Sequence, residues 1–197
     1  MDDQYSRIFA DTRQAVRFAF ALDAYKIGSQ GAAVRLALAD ARVTSTPTLP
    51  EGTDAHQLRA HAARILRTMQ GQMLRPESAS LAAAFSRDTD ARRRAIVTLH
   101  PLFCTLLTRL IGNGALVGKL MRRHYLPLQE RDAKWELHAL AEEFKVGRER
   151  VARAAQAVDR YARQIEADAL ASLGELLNPI PAPPAAQPQP QQEVAHA

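Results

Sequence analysis

The 197-residue chain predicts an all-α protein. It should have a helical N-terminal part, a C-terminal three-helix helix-turn-helix unit with a long last helix, and a disordered proline-rich tail. Three observations carry this expectation. Apolar residues recur at three- and four-residue spacing between glycines, prolines and capping residues. Strand signals are missing, because β-branched residues are scattered and no two-residue hairpin turn separates alternating runs. The last stretch, 178–197 (NPIPAPPAAQPQPQQEVAHA), holds too little apolar bulk to offset the entropy of ordering.

The elements follow in order. Asp11 is placed to cap a helix over Thr12–Ile27, which Val16, Phe18, Phe20, Leu22, Tyr25 and Ile27 make apolar over much of its circumference. Gly28-Ser29-Gln30-Gly31 breaks it. This run lacks the Lys-Ser/Thr of a phosphate-binding loop and follows no strand pattern, so it reads as a turn. A second helix is expected over Ala32–Val43 and a loop over Thr44–Thr53. The third, Ala55–Leu74, aligns Leu58, Ala62, Ile65, Leu66, Met69 and Met73 as a core stripe. Pro76 starts a short helix through Phe85, and Asp88-Thr89 can cap the next. That helix opens with Arg92-Arg93-Arg94, read as a solvated first turn or as a phosphate-contacting patch. Pro101 is expected to split the apolar run Ile96–Ile111 in two, with Leu102, Phe103, Leu106, Leu107, Leu110 and Ile111 in the core.

Gly112-Asn113-Gly114 is a turn with Asn113 as cap. The helix after it, Ala115–Leu126, puts Leu116, Val117, Leu120, Met121 and Tyr125 on one side and Lys119, Arg122 and Arg123 on the other. The chain then reaches WELHALAEEFKVGRERVARAAQAVDRY, Trp135–Tyr161. A short periodic segment, Leu137, Leu140, Ala141 and Phe144, meets the joint Lys145-Val146-Gly147, and a second segment begins at Arg148. Helix, tight turn, helix is the unit that DNA-binding proteins lay across a major groove. Leu140, Phe144, Val146, Val151 and Ala154 should face the core, with the small Ala141 where the helices cross. Gly147, Arg148, Glu149, Ala152 and Arg153 should point outward.

The last helix should continue to about Leu177, roughly 45 Å at 1.5 Å per residue. Val151, Val158 and Ile165 repeat every seven residues, with Ala155, Ala162, Ala169 and Leu176 four positions on. This is a coiled-coil-like seam to be packed on the N-terminal helices or on a second copy in a homodimer. Arg153, Gln156, Arg160 and Arg163 form a basic stripe opposite, equally readable as a solvated face. The division expected is 1–112 for the N-terminal region, 113–177 for the helix-turn-helix region and 178–197 for the tail.

Composition bounds the function. Hydrophobic residues make up 47% and charged residues 24%, enough for a real core. A net charge of +5 favours a polyanionic partner without proving one. Cys104 is the sole cysteine, which excludes an internal disulfide or a CxxC zinc ribbon and fits a reducing compartment. No apolar run approaches the roughly 18 residues of a bilayer span. The acidic start MDDQYSR is not a secretory signal, so a soluble cytoplasmic protein with no membrane partner is expected. His56 and His61 fall on different helix faces. His100 and Cys104 lie four apart with Pro101 between them and no third polar group near in sequence. No catalytic residue, metal site or cofactor is therefore assigned, and the expectation is a non-enzyme.

AEEFKVGRERV (Ala141–Val151) is similar to the helix-turn-helix of sigma-factor region 4, and RQIEADALASL (Arg163–Leu173) resembles the run that follows it there, displaced by an insertion. No region 2 sequence is present, so the chain is not a sigma factor. With IFADTRQAVRFAFAL (Ile8–Leu22) and LHPLFCTLLTRL, the chain also resembles phage and prophage late-gene regulators of the antitermination protein Q type. That resemblance implies a factor that binds double-stranded DNA, engages RNA polymerase holoenzyme near a promoter and carries it past terminators. It carries the DNA-reading role onto Lys145, Gly147, Arg148, Glu149, Ala152 and Arg153. Two departures stand out. The single cysteine excludes the zinc element of one branch, and Lys145 replaces a turn glycine at a position that commonly has positive φ.

Arg148 and Arg153 are the candidates for guanine edges and Glu149 for a cytosine amino group, with Gln156 one turn further along. Arg122, Arg123, Lys134 and Arg160 are the candidate phosphate contacts. A small terminase subunit or other packaging or replication protein, a conventional repressor or activator at initiation, and a protein-binding adaptor are the alternative readings.

Overall fold

The computed structural model describes residues 9, 11–25, 30–40, 55–126, 131 and 133–177. They form α1 (Thr12–Ala24), α2 (Gln30–Asp40), α3 (Ala55–Gln72), α4 (Arg75–Phe85), α5 (Thr89–Leu107), α6 (Gly114–Tyr125), a 3-10 turn (Ala133–Trp135), α7 (Leu137–Phe144) and α8 (Arg148–Leu177). The fold is all-α, with no strand among the described residues. None of these helices is long and apolar enough to cross a membrane.

Local chemistry starts the helices where capping residues stand. The Asp11 carboxylate accepts from the Gln14 N–H at 2.7 Å, Asp88 from Asp90 and Ala91, and Asn113 from Leu116 at 3.2 Å. Pro76 sits in the first turn of α4, where Glu77 accepts from the Leu74 N–H at 3.2 Å. Several ends differ from expectation. α1 stops at Ala24, where the Tyr25 N–H closes on the Ala21 carbonyl. Ile27, Gly28 and Ser29 lie outside the described residues, while Gln30 and Gly31, expected in the break, already belong to α2. α3 ends at Gln72, two residues early. The 44–53 loop and the 178–197 tail lie outside the described residues.

Pro101 does not divide its helix. α5 runs unbroken from Thr89 to Leu107 with Pro101 inside it. Proline removes the bond to the carbonyl four residues back, that of Val97. Both Pro101 and Val97 are exposed, so the break in the ladder falls on the solvent side, where water can serve the carbonyl. The core beyond it is narrower than expected: Phe103, Leu107 and Ile111 are buried, but Leu106 is 38% exposed.

Among the described residues, two apolar clusters make up the core. The first joins α1, α2 and α3 with Leu81 of α4 and the end of α8 (Ala169, Leu173 and Leu177). The second joins Ala79 and Ala83 of α4 with α5, α6, α7 and α8 as far as Ala162. The apolar packing therefore divides within α4, not at the 112/113 boundary, because α5 folds back on α6 through the Gly112–Gly114 turn.

α8 crosses both clusters. Its alanines Ala155, Ala162 and Ala169 are buried as the seam predicts, and the surfaces they meet belong to the chain's own helices, chiefly α4, α6 and α7. Leu176 is exposed and Leu177 buried instead. A straight helix drifts by about 20° per heptad against a strict seven-residue repeat, and by the last turn the buried line has moved to Ala169, Leu173 and Leu177.

Candidate nucleic-acid interface

The joint between α7 and α8 is built from backbone first. Lys145 adopts φ 52°, ψ 44°, the left-handed region and the sole positive φ at a non-glycine among the described residues. The Lys145 N–H donates to the Glu142 carbonyl at 3.3 Å and the Val146 N–H to the Ala141 carbonyl at 3.0 Å. This pair of bonds is a Schellman ending, in which a left-handed residue turns the chain back over the last turn. Val146 packs against the second cluster, as Phe144 does. The Gly147 carbonyl then accepts from Arg150 and Val151, opening α8. A Cβ on Gly147 would meet nothing within 4 Å, so no neighbour crowds the start of that helix.

The outward residues fall as expected. Lys145, Gly147, Arg148, Glu149, Arg153 and Gln156 are exposed and Ala152 is half-buried, while Leu140, Ala141, Val151 and Ala154 are buried beneath. From Arg148 to Gln156 this face runs about 12 Å along α8 at 1.5 Å per residue. Arg148 reaches back to Glu142 at 3.5 Å, a weak exposed pair. Arg150, in the same turn, points the other way: its Nε donates to the Leu110 carbonyl at 2.6 Å and fastens α8 to the end of the α5 segment.

The candidate phosphate contacts are not one group. Arg160 is exposed on the stripe with Arg153, Gln156 and Arg163, its guanidinium 5.1 Å from the Tyr161 ring centre. Arg122 and Lys134 are exposed near Trp135, which Lys134 overlies at 5.9 Å and Lys119 at 5.6 Å. Arg123 is half-buried, and its Nε donates to the Trp135 carbonyl at 3.1 Å, holding the 3-10 turn against α6. The stripe is not purely cationic either, since Asp159 lies in the same groove as Gln156, Arg160 and Arg163.

Asp159 belongs to a cluster that the sequence reading missed. His124, at the end of α6, has Nδ1 2.7 Å from Asp159 and Nε2 3.5 Å from Glu166. Burial alone would lower the imidazole pKa. Hydrogen bonding to Glu166 and Asp159, and their charges, outweigh it and hold the pKa above its ordinary value. Glu166 is 8% exposed, and Tyr125 packs edge-on to His124. Burial, and after it the charge of Glu166, pushes the Tyr125 phenol pKa up. Arg131 donates to the His124 and Leu126 carbonyls and closes the end of α6. The available signal was Asp159 and Glu166 seven apart, on one face of a helix whose neighbours on that line are apolar.

His100 and Cys104 are brought together, with Sγ 3.4 Å from Nε2. The same Nε2 lies 2.8 Å from the Gly114 carbonyl, which can only accept, so the imidazole proton is directed there. Gly114 and Gly118 lie against this pair, and a Cβ at either would be in ordinary contact with Cys104 or His100 at 3.4 Å. The pair therefore ties α5 to α6.

No family model, curated protein or solved structure matches the chain.

Proposed function

We propose that this protein is a sequence-specific, double-stranded-DNA-binding transcription regulator whose reading helix is α8. The observation that carries the proposal is the start of that helix. A glycine with no capping side chain is followed by Arg148, Glu149, Arg153 and Gln156 on one exposed face, behind a Schellman turn that fixes the angle of entry. An uncapped helix N-terminus offers N–H groups to a phosphate. The arginines, long and exposed, can make bidentate contact with guanine, and Glu149 can accept from cytosine. Gly147 and Ala152 are small enough for close approach to the groove, and Lys145 adds an exposed ammonium group beside them.

The likeness of Ala141–Val151 to sigma-factor region 4 favours a regulator that works on RNA polymerase at a promoter, in the manner of a phage late-gene antitermination factor. DNA selection from a random pool, followed by titration of the recovered site, tests the DNA reading. Arg148→Ala and Arg153→Ala should each weaken binding by about 1–3 kcal/mol and relax preference at one base pair. Undiminished binding by both variants would sink the docking geometry. Transcription in vitro through a terminator downstream of the recovered site tests the finer proposal. Read-through should rise with the protein, whereas altered initiation with unchanged read-through means a conventional regulator.

A further inference from the structure

A second recessed surface lies away from the start of α8. A cleft of about 340 Å³ opens between the first turns of α5, the end of α6 and the 3-10 turn. Its floor is Ile96, Leu126 and Trp135, and Arg92, Arg93 and Arg122 stand around it. The three arginines come from two consecutive helices, Arg93 and Arg122 being 29 residues apart, and the folding back of α6 on α5 brings them together. Among the described residues none of them is ion-paired with a carboxylate. Arg92 donates through a terminal nitrogen to the Ser86 carbonyl at 2.7 Å, and its Nε is buried without a partner. Two ammonium groups lie near the Trp135 ring, that of Lys134 and that of Lys119, the latter paired with Glu143 at 3.2 Å.

We infer that this cleft docks an acidic peptide segment of a partner protein, seating one large apolar side chain on Trp135, Leu126 and Ile96 and pairing flanking carboxylates with Arg92, Arg93 and Arg122. Charge complementarity decides the sign of the partner: guanidinium groups that have no carboxylate partner among the described residues take carboxylates in bidentate geometry. Its chemistry is decided by the floor. An apolar base large enough for a bulky side chain suits a peptide anchor, whereas a duplex backbone presents sugars and phosphates to a raised, polar surface. Position separates the cleft from the reading helix as well. Arg150 fastens the start of α8 to the Leu110 carbonyl, beyond the end of α5 at Leu107, which is itself eleven residues and about 16 Å from Ile96 at 1.5 Å per residue. The inference shares Arg122 and Lys134 with the candidate phosphate contacts and otherwise stands independently of the DNA reading.

Trp135 is the only tryptophan of the chain, so its emission reports on the cleft. The full chain is titrated, up to about 1 mM, with a peptide of two aspartates, a leucine, a phenylalanine and two glutamates. Saturable change in Trp135 emission is expected. It should be lost when glycines replace the leucine and phenylalanine, and lost again when amides replace the carboxylates. The double variant Arg93→Glu with Arg122→Glu, both at exposed positions, should keep its far-ultraviolet circular dichroism and bind about tenfold or more weakly. Arg148→Ala should bind the peptide as the parent does, which separates this result from any failure of the DNA reading. The inference is overturned if the peptide produces no saturable change, or if the charge-reversed chain binds it equally well. It is also overturned if inorganic phosphate or a DNA duplex produces the change and the peptide does not, which would make the cleft a phosphate site.

Discussion

Lys145 holds a backbone conformation that glycine adopts without penalty, and a side chain there costs roughly 1–2 kcal/mol. The Schellman bonds and the seating of Val146 over-determine the turn, so the protein tolerates the strain. Lys145→Gly should therefore stabilise the chain by about 0.5–1 kcal/mol, seen as a rise of roughly 1–4 °C in Tm. An unchanged or lowered Tm would show that the lysine side chain makes a compensating contribution. His124 offers a second test, with a definite sign. Its folded-state pKa lies above the ordinary 6.5, so the stability it contributes is complete below that value and is lost as pH rises through the folded pKa. The His124→Gln chain should lose less Tm than the parent between about pH 6 and about pH 8.5. Comparing the two chains cancels His61, whose pKa is lowered by burial and by Arg64 and which acts in the opposite sense. Equal slopes in the two chains would remove the cluster from the pH response.

Among the elements, α8 carries the most consequences. Ala162 is fully buried where the helix passes through the second cluster, and a larger side chain has nowhere to go. Ala162→Leu should destabilise by about 1–3 kcal/mol through overpacking, measured by urea denaturation. Enhanced stability would mean that the seam has slack that the burial does not reveal. α5 shows the converse: a helix survives an internal proline because the interrupted carbonyl is on the wet side. Its apolar face, with Leu99, Phe103 and Leu107 fully buried, provides packing that exceeds the cost of one missing bond.

At the level of the chain, α8 links the two clusters, contributing Leu173 and Leu177 to one and Val151, Ala154 and Val158 to the other. The clusters should consequently unfold together. Leu173→Ala, in the first cluster, should cost about 2–5 kcal/mol and lower the urea midpoint seen at Trp135, near the second cluster, by as much as the midpoint seen by circular dichroism. Midpoints that separate would divide the chain into two independently stable units. This linkage also means that the candidate reading helix is anchored at its far end, Ala169 to Leu177, by α1, α2 and α3, so changes in α1 or α3 act on the end of α8 remote from Arg148.

Much of the local structure was legible. The caps Asp11, Asp88 and Asn113, the α7–α8 turn with its strained Lys145, and the buried alanines of α8 all follow from spacing and residue type, because each depends on neighbours within a turn or two. The outward set at Arg148, Glu149, Arg153 and Gln156 follows from the same periodicity. Less legible were Pro101, whose effect depends on which side of α5 faces water, and Leu176, displaced by the mismatch between 3.6 and 3.5 residues per turn. His124 with Asp159 and Glu166, and the arginines of α5 with Arg122, involve partners more than twenty-five residues apart, and no spacing rule joins them.

Fold class, helix order and the face that α8 turns outward were thus settled by hydrophobic period and capping chemistry, both short-range and written in the residues themselves. Which surfaces the long helix covers, where the core divides, and which charges are neutralised in the interior or left open in a cleft were decided by tertiary packing. Those properties depend on burial and on distances between remote helices, and a charge has its electrostatic meaning only once its neighbours are in place.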